Sequence, residues 1–409
     1  MNFFSTGNTI GSVKNIENAI VACLIGYGFF SVFNIAWGNA LIDFALVLTF
    51  IRLGFSRSGL NPDKKILSFM AVYWGVLACA SVFAFLPAPS LQPLWRSFYF
   101  IGPPFFLGSL FFQSKSQRQR ALFLLSIVIA GMASSSCVFW QAMSGQGRTP
   151  GFIDLLELAG ELSLLIPMLL VVTLQNEYDH RIRWISAIAL LFAIGALVLN
   201  GTRGAWVAVG FTCGGYLFYS LAKRSMSRIK VTAIVVLLIL APLIIIQIFP
   251  ATKNRVLSVV NTKDISLGHR FAMWPSAWDM FLDHFLLGVG LGNYHEQYLT
   301  KYVRVDLVQK YIGNNTWLLH QHPHNSFLYL LAETGLLGLL SFLLLYCFVL
   351  YHFLSRIRNK FNKGVWAASA FMAVVGFLIF GLTENVVFGM NQYTQSLWLL
   401  IGVSWNANE

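Results

Sequence analysis

Charge is what this chain has least of. Only 11% of its 409 residues are Asp, Glu, Lys or Arg, and 57% are hydrophobic, where a soluble domain carries about 25% charged and about 45–50% apolar residues. The apolar residues are gathered into long runs, which excludes an ordinary soluble enzyme and identifies a polytopic membrane protein. A single helical membrane domain can absorb a chain of this length. Cysteine is scarce too. Cys23, Cys79, Cys137, Cys213 and Cys347 all fall inside apolar runs and form no CxxC pair, so neither a disulfide framework nor a thiol redox motif is expected. No small-residue cleavage motif follows the first apolar run, which is therefore expected to stay as a helix. No internal repeat or low-complexity tract occurs. The net charge of +12 comes without a soluble basic module, which argues against nucleic-acid binding and for charge that sets topology.

A spanning helix needs about 20 mostly apolar residues. About twelve runs qualify: 17–37, 39–54, 66–87, 98–113, 121–143, 152–174, 184–200, 204–221, 230–249, 325–353, 365–383 and 391–405. One set of connections holds Arg52, Arg57, Lys64 and Lys65, then Lys115, Arg118 and Arg120, then Arg181 and Arg183, then Lys223, Arg224, Arg228 and Lys230, and finally Arg356, Arg358, Lys360 and Lys363. The alternate short connections hold only Arg96, Arg148 and Arg203. Cytoplasmic loops are the basic ones, so the first set and both termini are expected in the cytoplasm. The fold class expected is all-α, a polytopic membrane helical bundle with a large helical periplasmic loop. Three parts are expected: nine spans over 1–249, the loop over 250–323, and three further spans over 324–409.

The loop is not a plain linker. Its stretch "SLGHRFAMWPSAWDMFLDHFLLGVGLGNY" (266–294) places Phe271, Trp274, Trp278, Phe281 and Leu282 at helical spacing, which predicts an amphipathic helix on the bundle or at the membrane interface. Gly288, Gly290 and Gly292 predict a flexible turn after it, and a second helix is expected over about 296–312. The loop ends in "HQHPHNSFLYLL". Pro323 disfavours helix at His322, and Asn325 is a fitting N-cap for the span that follows. The sequence thus sets His320, His322, His324 and a helix N-terminus together at the outer membrane boundary.

The outer face has no ATP and no nucleotide sugars. An enzyme acting there needs a donor already activated and carried by the membrane, and a polyprenyl-diphosphate-linked glycan meets both needs. The protein's work would be to bind the diphosphate and supply a base. Arg203 in "NGTRGAW", Arg270 in "SLGHR" and Arg148 in "GQGRTPGF" lie at matching depth, and Arg suits forked contacts with phosphate oxygens. Each could instead snorkel to lipid headgroups. An imidazole can accept a sugar hydroxyl's proton near neutral pH. An extended His-x-His-x-His could also supply zinc ligands, but no HExxH or cysteine partner lies near it, and no metal is expected. Among the acids, Asp154, Glu157 and Glu161 fall on one helix face, and Glu384 begins an outer loop. Glu333 would lie roughly 13 Å below His324 in a straight helix, which suggests a structural partner rather than a group that meets the sugar.

At these residues the chain resembles the O-antigen ligase and O-antigen polymerase superfamily of bacterial envelope glycosyltransferases. In "HPHNSFLYLLAETGLLG" (322–338), His324, Asn325, Glu333, Gly335 and Gly338 match the family's His-Asn start and Glu-x-Gly-x-x-Gly continuation. "GTRGAW" resembles its arginine turn, "HRFAMWPSAWDMFLDHFLLGVGLGNY" its Arg-x-x-x-Trp and Gly-x-Gly loop, and "GRTPGF" its Arg-x-x-Gly-Phe element. Where the family usually continues with Pro-Asn, this chain has "IDLLELAGE". The matches spread over about 148–340. The resemblance implies an inner-membrane, metal-independent, inverting transfer from undecaprenyl diphosphate without a cofactor. The acceptor would be lipid A-core for a ligase or another repeat unit for a polymerase. By the same resemblance Arg203 and Arg270 would bind the diphosphate, with Arg148 a further candidate, and His324 or His322 would activate the acceptor hydroxyl. Asn325, Glu333 and His320 are left with structural or unassigned roles. A polysaccharide flippase is the rival from another class, and it would spread its functional charges along a central passage.

Overall fold

The computed structural model describes residues 6–55, 60–112, 117–257, 265–311, 313, 322–359 and 364–407, and no strand occurs among them. Before the loop come α1 (Thr6–Phe30), α2 (Ile35–Phe55), α3 (Lys64–Val82), α4 (Pro87–Phe111), α5 (Gln117–Met143), α6 (Leu155–Leu174), α7 (His180–Asn200), α8 (Arg203–Ala222) and α9 (Arg228–Ile248). The loop carries α10 (Pro250–Leu257), α11 (Ile265–Asp283), α12 (Tyr294–Gln297) and α13 (Val305–Tyr311). After it come α14 (Ser326–Asn359), α15 (Val365–Phe380) and α16 (Asn391–Trp405). Among the described residues, eight helices are long and apolar enough to cross a membrane: α2, α3, α5 to α9 and α14. The remaining apolar runs form α1, α4, α15 and α16. The all-α membrane architecture read from the sequence is therefore present.

Side chains set the helix starts. Asp63, Asp154 and Asp179 each accept a hydrogen bond from a first-turn backbone N–H, at 2.8, 2.9 and 2.9 Å, which satisfies a donor that has no partner inside the helix. Asn34 does the same for α2, accepting from Ala36 and Trp37 at 2.8 and 3.3 Å. The first inter-helix break therefore falls at 31–34, earlier than the hydropathy boundary at 37–39.

Lipid tails are as apolar as leucine, so membrane helices associate through close packing more than through burial of apolar surface. The α4–α16 pair shows this. A Cβ on Gly108 would lie 2.7 Å from the Val403 nitrogen, and one on Gly402 would lie 2.5 Å from the Phe105 carbonyl oxygen. Short α15 and α16 occupy the interior: Trp366, Phe377, Trp398 and Trp405 are almost wholly buried. Tyr346 of α14 stacks on Phe377 at 5.5 Å, and its hydroxyl accepts from Trp398 Nε1 at 3.2 Å.

The two ends of the bundle differ. At one end Glu177 accepts from the Val365 nitrogen, Arg356 donates to the Ala407 carbonyl and Trp405 donates to Asp63, so the basic connections gather there. At the other, the α3–α4 turn bonds to the loop: Phe85 N to Val289 O at 3.2 Å, and Leu86 N to Asn293 Oδ1 at 2.9 Å.

The tenth apolar run is not a straight span. Gly335 lies inside α14 at φ 64° and ψ −164°, a conformation open essentially to glycine alone. The Phe327 and Phe342 rings are 6.1 Å apart, whereas a straight helix would separate those residues by about 22 Å along its axis. The first segment of α14, 326–334, therefore folds back on the rest of the helix after Glu333. The loop fills the break. Leu336 N donates to Phe285 O at 2.8 Å, Val289 N to Ala332 O at 2.9 Å and Gly290 N to Glu333 O at 3.0 Å. The Gly288–Gly292 turn is thus a hydrogen-bonded clasp and not a loose hinge. A Cβ on Gly335 would run into the Leu286 carbonyl group, so the Glu-x-Gly and Gly-x-Gly motifs are two halves of one junction.

The α11 helix forms as expected, but it buries Met273, Ala277, Met280 and Phe281, and leaves Phe271, Trp278 and Leu282 about half exposed. The helix expected over 296–312 is broken into α12, a single wide turn at Tyr298–Tyr302, and α13.

Candidate active site

The site is built where the loop enters α14. Asn325 Oδ1 accepts from the Phe327 and Leu328 nitrogens at 2.9 and 3.0 Å, capping the helix. Ser326 ties this start to the turn after α15. Its nitrogen donates to Gly381 O at 2.7 Å, and its hydroxyl donates to Glu384 O and accepts from Val386 N, both at 2.9 Å. Trp274 of α11 holds the preceding residue from above, its Nε1 donating to Pro323 O at 2.8 Å.

His324 sits in the left-handed region, with φ 51°, a conformation uncommon outside glycine that often marks functional positions. Its Nδ1 is 2.8 Å from Glu384 Oε2. The other carboxylate oxygen, Oε1, accepts from Arg270 at 3.2 Å, and the same guanidinium nitrogen donates to Thr383 O at 2.9 Å. Glu384 therefore bridges Arg270 and His324. All three side chains are partly buried, at 15%, 18% and 11% exposure for Arg270, His324 and Glu384, so these charge-assisted contacts are less screened than surface ion pairs. An ionised carboxylate can only accept. With an ionised Glu384 the contact requires the proton on Nδ1, and Nε2 is then the ring's other nitrogen.

The His322 ring stands edge-on to His324 with centroids 4.7 Å apart. Its Nδ1 accepts a long 3.4 Å bond from the His324 backbone nitrogen. His269, beside Arg270 on α11, is also buried. Burial first, then the neighbouring His324 and Arg270, hold its pKa below the usual 6.5.

Arg203 opens α8. Gly201, at φ 77°, ends α7, and Thr202 Oγ1 donates to Asn200 Oδ1 at 2.6 Å. Arg148 braces this turn, with Nε 3.4 Å from Asn200 O and an end nitrogen 3.3 Å from Thr202 Oγ1. The first turn of α8 lies against Thr383 so closely that a Cβ on Gly204 would overlap the Thr383 hydroxyl and approach the Phe380 ring. Arg203 therefore stands at the same end of the bundle as the turn that carries Glu384.

The structure thus brings His322, His324 and Arg270 into one cluster, sets the Arg203 turn against it, and places Arg148 behind that turn. Glu333 faces the loop clasp, its two oxygens accepting from Gly292 N at 2.7 Å and Tyr294 N at 2.8 Å. His320 lies outside the described residues. Among the described residues, no group of three or more His, Cys, Asp and Glu side chains is arranged to hold a metal ion. Sequence reasoning assigned no role to Glu384 or His269. The signal for Glu384 was an acid directly after an apolar run, which is a functional-site pointer by itself. Nothing in the sequence linked it to His324, 60 residues away.

Residues 188–343 match the family model described as O-Antigen ligase, a segment that contains Arg203, Arg270, His322 and His324. The "Putative polysaccharide ligase" of Rickettsia typhi is 23% identical over 368 residues, 88% of this chain and 83% of that protein. Its counterpart in Rickettsia prowazekii is 23% identical over 354 residues, 84% and 79% of the two chains. The O-antigen ligase of Salmonella typhimurium is 28% identical over 199 residues, 48% of this chain and 46% of that protein. The family match across the arginine turn, the loop and the histidine segment, with these relatives beside it, makes this part of the chain similar to the O-antigen ligases.

Proposed function

We propose that the chain is an inverting, metal-independent glycosyltransferase that moves O-antigen polysaccharide from undecaprenyl diphosphate onto lipid A-core. The observation that carries the reading is the His324–Glu384–Arg270 contact chain beside the Arg203 turn. The lipid-linked donor enters from the bilayer with its diphosphate toward Arg203, Arg270 and the N-terminus of α8, a helix end whose N–H groups also favour an anion. Glu384 orients His324 through Nδ1, and Nε2 accepts the proton of the acceptor hydroxyl. The acceptor oxygen attacks the anomeric carbon from the face opposite the diphosphate. The new glycosidic bond forms as the old carbon–oxygen bond breaks, and the configuration inverts. Undecaprenyl diphosphate leaves with the bonding electron pair, and its charge is met by the two guanidinium groups. Arg148 holds the turn that presents Arg203. The His322 Nδ1 already receives a backbone N–H, whereas His324 has a carboxylate to orient it, so His324 is the base in this reading.

The Lys and Arg distribution supports an inner-membrane protein with both termini in the cytoplasm and this site facing the periplasm. The test is reconstitution of the full chain with undecaprenyl-diphosphate O-antigen and lipid A-core, in a chelator and without nucleotide. Core-linked glycan is expected. Longer lipid-linked chains would make the protein a polymerase, and translocation without a new glycosidic bond would make it a transporter.

A further inference from the structure

Away from the arginine–histidine cluster, α1, α5, α6 and α16 enclose a cavity with about 50 Å³ of space. Its walls are apolar except for the oxygen-bearing side chains of Tyr27, Ser31, Ser134, Glu161 and Ser396, and no side-chain nitrogen lines it. Glu161 Oε1 accepts from the Ser396 hydroxyl at 2.7 Å. That hydroxyl is 3.0 Å from the Tyr27 hydroxyl, which also reaches Gln395 Oε1 at 3.3 Å. None of the described hydrogen bonds engages Glu161 Oε2, and no Lys, Arg or His among the described residues forms an ion pair with this carboxylate. A second observation points to a ligand. Ser134 is 1% exposed and lines the same cavity, yet its hydroxyl has no hydrogen-bond partner among the described residues.

A carboxylate inside a membrane bundle is costly unless its charge is compensated, and a buried hydroxyl without a partner adds to that cost. One guest answers both. An all-oxygen lining suits a hard cation. Glu161 is the one carboxylate among the lining residues, and it balances a single positive charge. The space admits an ion with one or two waters, since a water centre needs roughly 10–15 Å³.

We propose that this cavity is a binding site for a monovalent cation, sodium or potassium, held by Glu161 and Ser134 with the hydroxyls of Tyr27 and Ser396. The site is independent of the transferase reading. The test follows thermal unfolding of the full-length protein in detergent while sodium or potassium chloride replaces choline chloride at constant ionic strength. One of the two cations is expected to raise the midpoint saturably, the folded state being favoured about elevenfold at ten times the half-saturating concentration. Glu161→Gln keeps the side-chain shape and should abolish the response, and Ser134→Ala should move half-saturation several-fold higher. Equal midpoints in all three salts, or a response that survives in Glu161→Gln, overturns the proposal. So does a midpoint that follows pH alone, which would mark Glu161 as a simple proton site. If Glu161→Gln does not fold, an unchanged half-saturation in Ser134→Ala overturns it equally.

Discussion

Replacing Glu384 by Gln keeps the size and hydrogen-bonding reach of the side chain and removes its charge. Two contacts change at once: the 2.8 Å contact to His324 Nδ1 and the 3.2 Å contact to Arg270. Breaking a fully buried charged pair from one side costs about 3–5 kcal/mol. These groups are between 11% and 18% exposed, so about 2–3 kcal/mol is the better figure for the site. If that loss falls on the transition state, where His324 gains positive charge, transfer slows by roughly 30- to 150-fold. The assay is the reconstituted transfer reaction, read as core-linked product on a gel under saturating donor. The binding step is expected to change less than the turnover, because the acceptor meets Nε2 and not the carboxylate. Glu384→Asp should recover part of the rate if its shorter carboxylate still reaches His324. A Glu384→Gln protein that folds and transfers at the original rate would refute the reasoning.

Other outcomes follow from the same geometry. Arg203→Ala and Arg270→Ala should each lower transfer by about 100-fold or more, as expected for lost charge-assisted stabilisation of a leaving group, and should weaken inhibition by inorganic pyrophosphate. Gly335→Ala would set a Cβ against the Leu286 carbonyl at a backbone conformation closed to alanine. A loss of about 3 kcal/mol or more is expected there, visible as a lower thermal midpoint in detergent, whereas Gly75→Ala, with open space around it, should be near neutral. Burial first, then the neighbouring His324 and Arg270, hold the His269 pKa below 6.5. As pH falls below about 6.5 the unfolded chain takes up a proton that the folded chain refuses, so this contribution to stability is full above that pH and is lost on acidification. His269→Gln should flatten that acid limb of the thermal midpoint, and an unchanged slope would show that another group sets it.

The helices were legible because hydropathy reports directly on what lipid tolerates, and the apolar runs align with them to within a few residues at most ends. The break at Gly335 was not. It lies inside an apolar run, and the partner that fixes it, Phe285–Gly290, is about 50 residues upstream. For the same reason the three glycines after α11 read as a loose turn, although their backbone is hydrogen-bonded to α14. The apolar spacing of α11 predicted the helix but left open whether it lay on the bundle or at the membrane interface. The bundle takes Ala277 and Met280, and the bulky Phe271 and Trp278 face outward. At the site, the arginines and histidines were visible as polar residues in the connections between apolar runs. Glu384 carries the geometry that links them, and its relation to His324 exists only once α14 and α15 are packed.

The most direct test of the account is transfer by His324→Ala protein that inserts and unfolds thermally like the parent, measured over a single turnover beside His322→Ala. Loss of a general base is expected to slow the chemical step by about 10²- to 10⁴-fold, with His322→Ala affected much less. A His324→Ala protein that still joins glycan to core at the parental rate would contradict the account.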